Sequence, residues 1–189
     1  MKQDWRPGTL VYPLPAVMVT VGNEESEYNI LTIGWTGTIC SDPAMCYISV
    51  RPERYSYDIL KKNMEFVINL TTEELAYATD WCGVRSGKDY NKFKEMNLTP
   101  GQSHVVKAPY IEEAPLCIEC RVKEILPLGT HDMFIAEVVN ILADDKFIDP
   151  ETGGFDMKKA NILAFVHGKY YGLGELIGKF GWSVQRKHK

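Results

Sequence analysis

Apolar and polar positions along the chain follow two periods. The runs PAVMVTV (15–21), AMCYISV (44–50) and EFVINL (65–70) are short and rich in β-branched and aromatic residues, and they predict strands. Two longer runs, 117–128 and 131–144, flank Gly129-Thr130 and predict an antiparallel hairpin. Residues 54–63 predict a short helix. Thr71 followed by Glu74 has the capping-box pattern, with Thr71 as N-cap. It predicts a helix running to about Cys82-Gly83, with Leu75, Ala78 and Cys82 on one face. Residues 84–110 read as loop with a short helix over 90–95, the opening segment as strand and loop, and 161–174 as mixed apolar and aromatic sequence. Strands outnumber helices and do not alternate with them, which argues against a doubly wound parallel sheet. The pattern predicts one mainly β domain over 1–189, a β-barrel with short helical insertions.

One stretch fits neither period. YNILTIGWTGTICSDP (28–43) carries no charged side chain from Tyr28 to Ser41, although 24% of the chain is charged. Thr32, Thr36 and Thr38 make it too polar for a plain core strand. Gly34 and Gly37 weaken it as a strand, and Trp35 sits at its centre.

Composition narrows the class. The net charge of −4 argues against a nucleic-acid footprint. The basic tail Gln185–Lys189 is short and reads as a solvated, frayed terminus. No apolar run approaches the roughly 18 residues of a membrane span. The N-terminus lacks the apolar core of a signal peptide, so the chain reads as cytoplasmic. Five cysteines, an odd number, suit free thiols in a reducing compartment.

Several motifs come close to known chemistry and fail. Gly83-Val84-Arg85-Ser86-Gly87-Lys88 has P-loop flavour, but its glycines are too close and Asp89 stands where Ser or Thr should hold magnesium. The glycines of 172–178 are spaced too widely for a dinucleotide fingerprint and lie too near the C-terminus for a βαβ unit. Cys117-x-x-Cys120 has redox or zinc spacing, but it lies on a strand, where positions three apart face opposite sides. It reads as two unrelated thiols. The four histidines show no ligand spacing, so no metal site is expected, and no GxSxG elbow supports a nucleophilic serine.

Two further segments share a theme with 28–43. Ser49-Val50-Arg51-Pro52-Glu53-Arg54-Tyr55-Ser56 leaves a strand and enters a helix, whose N-terminal N–H groups suit a phosphate. Arg54 and Ser56 are placed to add a charge-assisted and a hydroxyl contact; the plainer alternative is a solvated arginine and a capping serine. Ser86-Gly87-Lys88-Asp89-Tyr90-Asn91-Lys92-Phe93 is a second polar, basic loop, with a solvated surface loop as its alternative.

Taken in order, the segments form a series. It runs from Tyr12-Pro13-Leu14-Pro15 through Asn29…Trp35-Thr36-Gly37…Asp42-Pro43 to Ser49-x-x-x-x-Arg54-x-Ser56. It continues through 65–70 and Ser86-Gly87…Lys92-Phe93 to His131-Asp132-x-Phe134-Ile135-Ala136-Glu137-Val138. Over roughly residues 10 to 175 this resembles the flavin reductase-like family of FMN-binding split barrels, in particular its flavoredoxin-like branch. The resemblance implies a Greek-key split barrel, a homodimer with FMN near the subunit interface, and NAD(P)H as electron donor. It further implies a flavin, a ferric complex or a partner protein as acceptor. It places Trp35, Thr36, Gly37 and Thr38 along the flavin ring, and Ser49, Val50, Arg54 and Ser56 on the ribityl chain and phosphate. The loop from Ser86 to Lys92 would close over the phosphate end. His131 would stand near the nicotinamide as the candidate catalytic residue. The family's Gly-Asp-His turn reads Gly129-Thr130-His131 here, and that departure leaves open an FMN-binding electron carrier without its own nicotinamide site. A third reading is a small-molecule barrel with no redox role, in which Tyr170 and Tyr171 are core. A largely uncharged pocket with a few placed polar groups is what a flavin ring requires.

Overall fold

The computed structural model describes residues 1–184; the tail 185–189 lies outside the described residues. In chain order, β1 (Leu14–Pro15), β2 (Val17–Val21), β3 (Asn29–Ile33), β4 (Thr36–Ser41) and β5 (Ala44–Val50) precede helix α1 (Ser56–Asn63). Then come β6 (Glu65–Leu70), α2 (Ala76–Val84), α3 (Lys92–Glu95), β7 (Pro100–Gly101) and β8 (Tyr110–Ile111). The long strands β9 (Leu116–Pro127) and β10 (Asp132–Ala143) follow, and β11 (Leu163–Val166) and β12 (Lys169–Gly172) come last.

Seven of these strands form one antiparallel sheet, ordered β3-β2-β6-β9-β10-β5-β4. Its two edge strands, β3 and β4, are neighbours in the chain, separated by Gly34 and Trp35. A flat sheet would hold those edges about 29 Å apart at the usual strand spacing. The link from Ile33 to Thr36 spans at most about 11 Å. The sheet therefore curls on itself, and the Ser49 N–H, donating to the Trp35 carbonyl at 2.9 Å, ties the link between the edges to β5. The result is the split barrel. A smaller sheet, β1-β11-β12, packs beside it.

The core divides along the two faces of β2, β3 and β6. Val17, Val19, Val21, Leu31, Phe66 and Ile68 point into the barrel, where Tyr57 and Leu60 of α1 join them. Met18, Ile30 and Val67 point outward beneath Leu75 at the N-cap of α2, Ala78 and Cys82 within it, and Phe93 of α3. Burial on both faces explains why β2 is a continuous buried run rather than an alternating one. Cys117 belongs to the outer core and Cys120 to the inner one, as their spacing on a strand predicts. Cys120 Sγ lies 3.6 Å from Cys46 Sγ, while Cys117 Sγ faces the Ile111 carbonyl, so the two thiols have separate surroundings.

One prediction is corrected. Thr71 does not cap α2, because its hydroxyl donates to the Ala16 carbonyl and its own carbonyl accepts from Leu163 N–H. Thr72 accepts from Leu75 N–H at 3.3 Å instead, and α2 begins at Ala76. Strand contacts on both sides of Thr71 outcompete the local capping pattern. The short helix expected over 90–95 starts at Lys92, with Asn91 as its cap accepting from Lys94 N–H at 3.1 Å.

Glu119 on β9 is fully buried, and its carboxylate collects the loop 104–106. It accepts from the backbone N–H groups of His104, Val105 and Val106 and from the Asn140 amide at 2.7 Å. Burial pushes its pKa up, but the Asn140 amide and the three N–H groups outweigh that and hold it below its ordinary value of 4.5. The stability this contributes is present above the unfolded value and is lost as pH falls through the lowered folded one. Glu119→Gln sets an amide NH2 against those donors and is expected to cost about 2 kcal/mol in urea unfolding at pH 7. The deficit should shrink as the parent is acidified.

Candidate functional site

Where the barrel edges meet, two adjoining cavities open that share Leu31, Thr32 and Arg54. The first holds about 200 Å³. Leu14 of β1, Leu31 and Ile33 of β3, Val50 of β5 and Phe165 of β11 give it apolar walls, and Trp35 and His131 close one side. The Trp35 and His131 rings stand 4.5 Å apart at 40°. Thr130 Oγ1 meets His131 Nδ1 at 3.0 Å, which fixes the ring and leaves Nε2 free of that contact. Burial lowers the His131 pKa, and the positive charges of Arg51 and Arg54 add to that against the opposing pull of Glu53. At neutral pH the imidazole is therefore uncharged.

The second cavity, about 120 Å³, is polar and positive. The segment 53–56 entering α1, the end of α2 and the loop 85–87 form its walls, and Arg54, Arg85 and Lys92 bring positive charge that outnumbers the one carboxylate, Glu53. Lys92 is 4% exposed and donates to the carbonyls of Ile30 at 2.7 Å and Cys82 at 2.6 Å. An ammonium has three N–H donors, so one remains. Among the described residues no carboxylate lies within ion-pair distance of Lys92 or Arg54. Burial drives the Lys92 pKa down to about 8; the Cys82 thiol opposes this and the Arg54 charge adds to it. Burial likewise lifts Cys82 to about 11, against the pull of Lys92, so it stays a neutral thiol at physiological pH. A buried cation with a spare donor and cationic neighbours is complementary to an anion.

Ser56 Oγ accepts from the Asn29 amide at 2.7 Å, which leaves the serine O–H to donate elsewhere. Gly87 makes this arrangement possible. A Cβ there would lie 2.2 Å from Asn29 Oδ1, so only glycine lets the loop pass so close to the amide. Arg54 is exposed and donates from Nη1 to the Gly83 carbonyl at 3.1 Å, which aims it across the cavity.

The structure brings most of the residues singled out from sequence together. Trp35, Ser49, Val50, Arg54 and His131 line the first cavity, and Arg54, Ser56, Ser86 and Lys92 the second. Thr36, Gly37 and Thr38 line neither. They belong to edge strand β4, where Thr36 donates its hydroxyl to the Tyr47 carbonyl at 2.6 Å, Gly37 packs on the Tyr47 ring and Thr38 is exposed. Asn29, Leu14 and Phe165 also line the site and were not singled out for it. Asn29 had a readable signal, a polar side chain opening an apolar strand. Phe165 had none locally, because its place depends on β1 pairing with β11.

The Flavin reductase like domain model matches residues 9–174. The chain belongs to the flavin reductase-like family. Within it, the chain is 31% identical over 157 residues to an uncharacterized protein of Pyrococcus abyssi, covering 83% of this chain and 88% of that one. Its fold superposes on flavoredoxin of Desulfovibrio vulgaris (Miyazaki F) with a TM-score of 0.90 at 28% identity, covering 98% of this chain and all of that one. It also matches the fold of flavoredoxin from Methanosarcina acetivorans, with a TM-score of 0.87 at 24% identity and coverage of 98% and 100%. Family membership gives the chain an oxidoreductase-type, flavin-associated role. Among the described residues, no helix is long and apolar enough to cross a membrane, and no group of three or more His, Cys, Asp or Glu side chains is arranged to hold a metal ion.

Arg54→Ala tests the second cavity. An exposed guanidinium is partly screened, so the loss for a phosphate-bearing ligand such as FMN is expected at the low end for a charge-assisted contact, about 1.5 kcal/mol or roughly tenfold in affinity. Riboflavin, which lacks the phosphate, should not distinguish Arg54→Ala from the parent in the same titration.

Proposed function

We propose that the chain binds FMN with its ring in the first cavity and its phosphate in the second, takes a hydride equivalent from NAD(P)H, and passes electrons to a small-molecule or protein acceptor. The observation that carries this reading is the buried Lys92, with no carboxylate within ion-pair distance among the described residues, beside a cavity with apolar walls. A flavin mononucleotide joins a flat ring, apolar on its faces, to a phosphate through a ribityl chain, which suits an apolar-walled cavity adjoining a positive one. When bound, the flavin supplies the hydride and electron chemistry. Lys92, Arg54 and the Ser56 hydroxyl hold the phosphate. Leu14, Leu31, Val50 and Phe165 keep water from the ring faces. Arg51 and Arg54 favour negative charge in the first cavity, the direction in which reduction of a flavin moves it. The neutral His131 imidazole, anchored at Nδ1, can hold or release a proton at Nε2.

In this reading the chain works as a homodimer. Apolar side chains near both ends, including Val11, Leu176, Ile177 and Phe180, are largely exposed in the single chain. Sedimentation at micromolar concentration should give a two-chain particle.

An absorbance spectrum before and after anaerobic NADH and NADPH tests the function. The expected result is a yellow protein bleached by at least one of the two. A colourless protein that takes up no added FMN overturns the reading. A second reading, an FMN electron carrier without its own nicotinamide site, is favoured by Thr130, whose hydroxyl occupies His131 Nδ1 where the family's turn has an acid. It predicts bound flavin that neither nucleotide bleaches.

A further inference from the structure

His131 stands in the turn between β9 and β10, immediately before Asp132 opens β10. Its ring bonds to the adjacent Thr130 hydroxyl, which sets the angle of the ring but travels with the turn. The turn is closed by the Leu128 N–H donating to the His131 carbonyl at 3.0 Å, with Gly129 at a φ of +103°. Pairing of β10 with β5 begins at Asp132 opposite Val50, so the ladder stops one residue short of the histidine. A contact from outside the turn has to place the imidazole beside Trp35.

Helix α1 supplies it. The Tyr57 hydroxyl donates to the Asp132 carboxylate. Among the described residues no other side-chain hydrogen bond joins 128–132 to another element. Tyr57 is 8% exposed in the barrel core, with its ring edge-on to Phe134 at 5.7 Å. Asp132 and Phe134 share a face of β10. The ring therefore packs on the strand while its hydroxyl grips the strand's first residue. The Tyr57 N–H donates to the Arg54 carbonyl at 2.8 Å, which fixes the root of the side chain in the first turn of α1. Apolar packing accounts for an aromatic ring at 57 but not for its hydroxyl, because a buried phenol needs a partner. The hydrogen bond to Asp132 pushes the phenol up to about 12, with burial and the Asp132 charge adding to it, so it remains a donor at physiological pH. The charges that act on the imidazole are those of Arg51, Glu53 and Arg54. Asp132, although next in sequence, is turned to Tyr57.

We infer that Tyr57 is a positioning residue for His131: through Asp132 it holds the imidazole against Trp35 and keeps the neighbouring carboxylate turned away from it. What the imidazole does there rests on the flavin reading above; where it stands does not. Ser56, which lines the second cavity, directly precedes Tyr57. One turn of α1 thus carries both a wall of the positive cavity and the tether of the imidazole.

The test follows the histidine rings of flavin-free full-length protein by NMR through their titration range, with His131→Gln to assign the signal. In the parent, His131 should titrate below 6.5 and show a through-space contact with the Trp35 ring. Tyr57→Phe keeps the ring in the core and deletes the hydroxyl alone. It should lose the Trp35 contact and move the His131 midpoint up toward 6.5, because water regains the imidazole and a freed carboxylate favours its charged form. Asp132→Asn leaves an acceptor for the phenol and should keep the contact. His104 and His167 lie outside the first cavity and should titrate as in the parent, which certifies the fold. An unmoved His131 in Tyr57→Phe overturns the inference and makes the bond a purely structural one. A shift shared by His104 and His167 overturns it as well, because it marks general loosening. So does a loss of the Trp35 contact in Asp132→Asn as complete as in Tyr57→Phe, since an acceptor at 132 would then not place the ring. FMN titration of the parent keeps the two readings apart. A parent that takes up no FMN overturns the flavin reading, and the placement of His131 is then decided by the NMR result alone.

Discussion

Lys92→Met is expected to weaken FMN binding about a hundredfold, close to 3 kcal/mol, while leaving the flavin-free protein about as stable as the parent. The two halves of this result have one cause. Lys92 is buried with no carboxylate within ion-pair distance among the described residues, and its pKa stands at about 8 instead of 10.5. Keeping the ammonium charged inside the flavin-free fold therefore costs about 3 kcal/mol at neutral pH. Methionine is long enough to fill the space and relieves that cost. The carbonyls of Ile30 and Cys82 then lose their donor, a penalty of about 1.5–3 kcal/mol. The two contributions nearly cancel in the free protein. They do not cancel in the complex, because a dianionic phosphate loses its most buried cation. The measurement is paired: flavin titration with FMN and riboflavin, and thermal melting of flavin-free protein. FMN affinity equal to the parent's would remove Lys92 from the phosphate site. A melting temperature many degrees lower would make it a structural lysine instead.

The fold was largely readable because its strands are written in local chemistry. AMCYISV and EFVINL became β5 and β6 with the boundaries their composition predicts, and Gly129-Thr130 marked the β9–β10 turn. The start of α2 was misread because Thr71 faces two strands whose positions no local pattern encodes. The placing of the candidate residues follows the same logic and meets the same limit. Arg54 and Ser56 sit at a strand-to-helix junction, where sequence alone leaves open an anion site or a solvated arginine with a capping serine; the fold puts both on the second cavity. Lys92 could be placed in the site only by its family resemblance, since its burial depends on how α3 packs under β3 and against the end of α2. The neutral stretch 28–43 proves to be two things. Its first half is β3 and the Gly34-Trp35 link, whose side chains line the cavities. Its second half is edge strand β4, where Thr36 spends its hydroxyl on the neighbouring strand. Absence of charge marked both halves alike; strand pairing separates them.

The second large effect is on pH. FMN affinity should be greatest between about pH 6, where the phosphate gains its second negative charge, and about pH 8, where Lys92 begins to lose its proton. Above pH 8 affinity should fall, approaching about tenfold per pH unit until the value of the bound lysine, raised by the phosphate, is reached. The neighbours do not mimic this limb. Arginine side chains are not deprotonated in proteins and add no limb. Cys82 ionises only near 11. His131 titrates below its ordinary 6.5, so its charge change falls on the acid side, where it opposes the rise due to the phosphate. The flavin-free protein should respond in the opposite sense. A lysine whose folded value is lowered leaves the unfolded chain holding more protons between about pH 8 and 10.5, so this group's contribution to stability rises across that window as affinity declines. Three titration series separate the causes. Riboflavin should show no alkaline limb, since it has no phosphate to lose its partner. Lys92→Met with FMN should show weak binding that no longer changes between pH 7.5 and 9.5 on this group's account. An alkaline limb that persists unchanged in Lys92→Met would assign the titration to another group and leave the buried ammonium without a part in holding the phosphate.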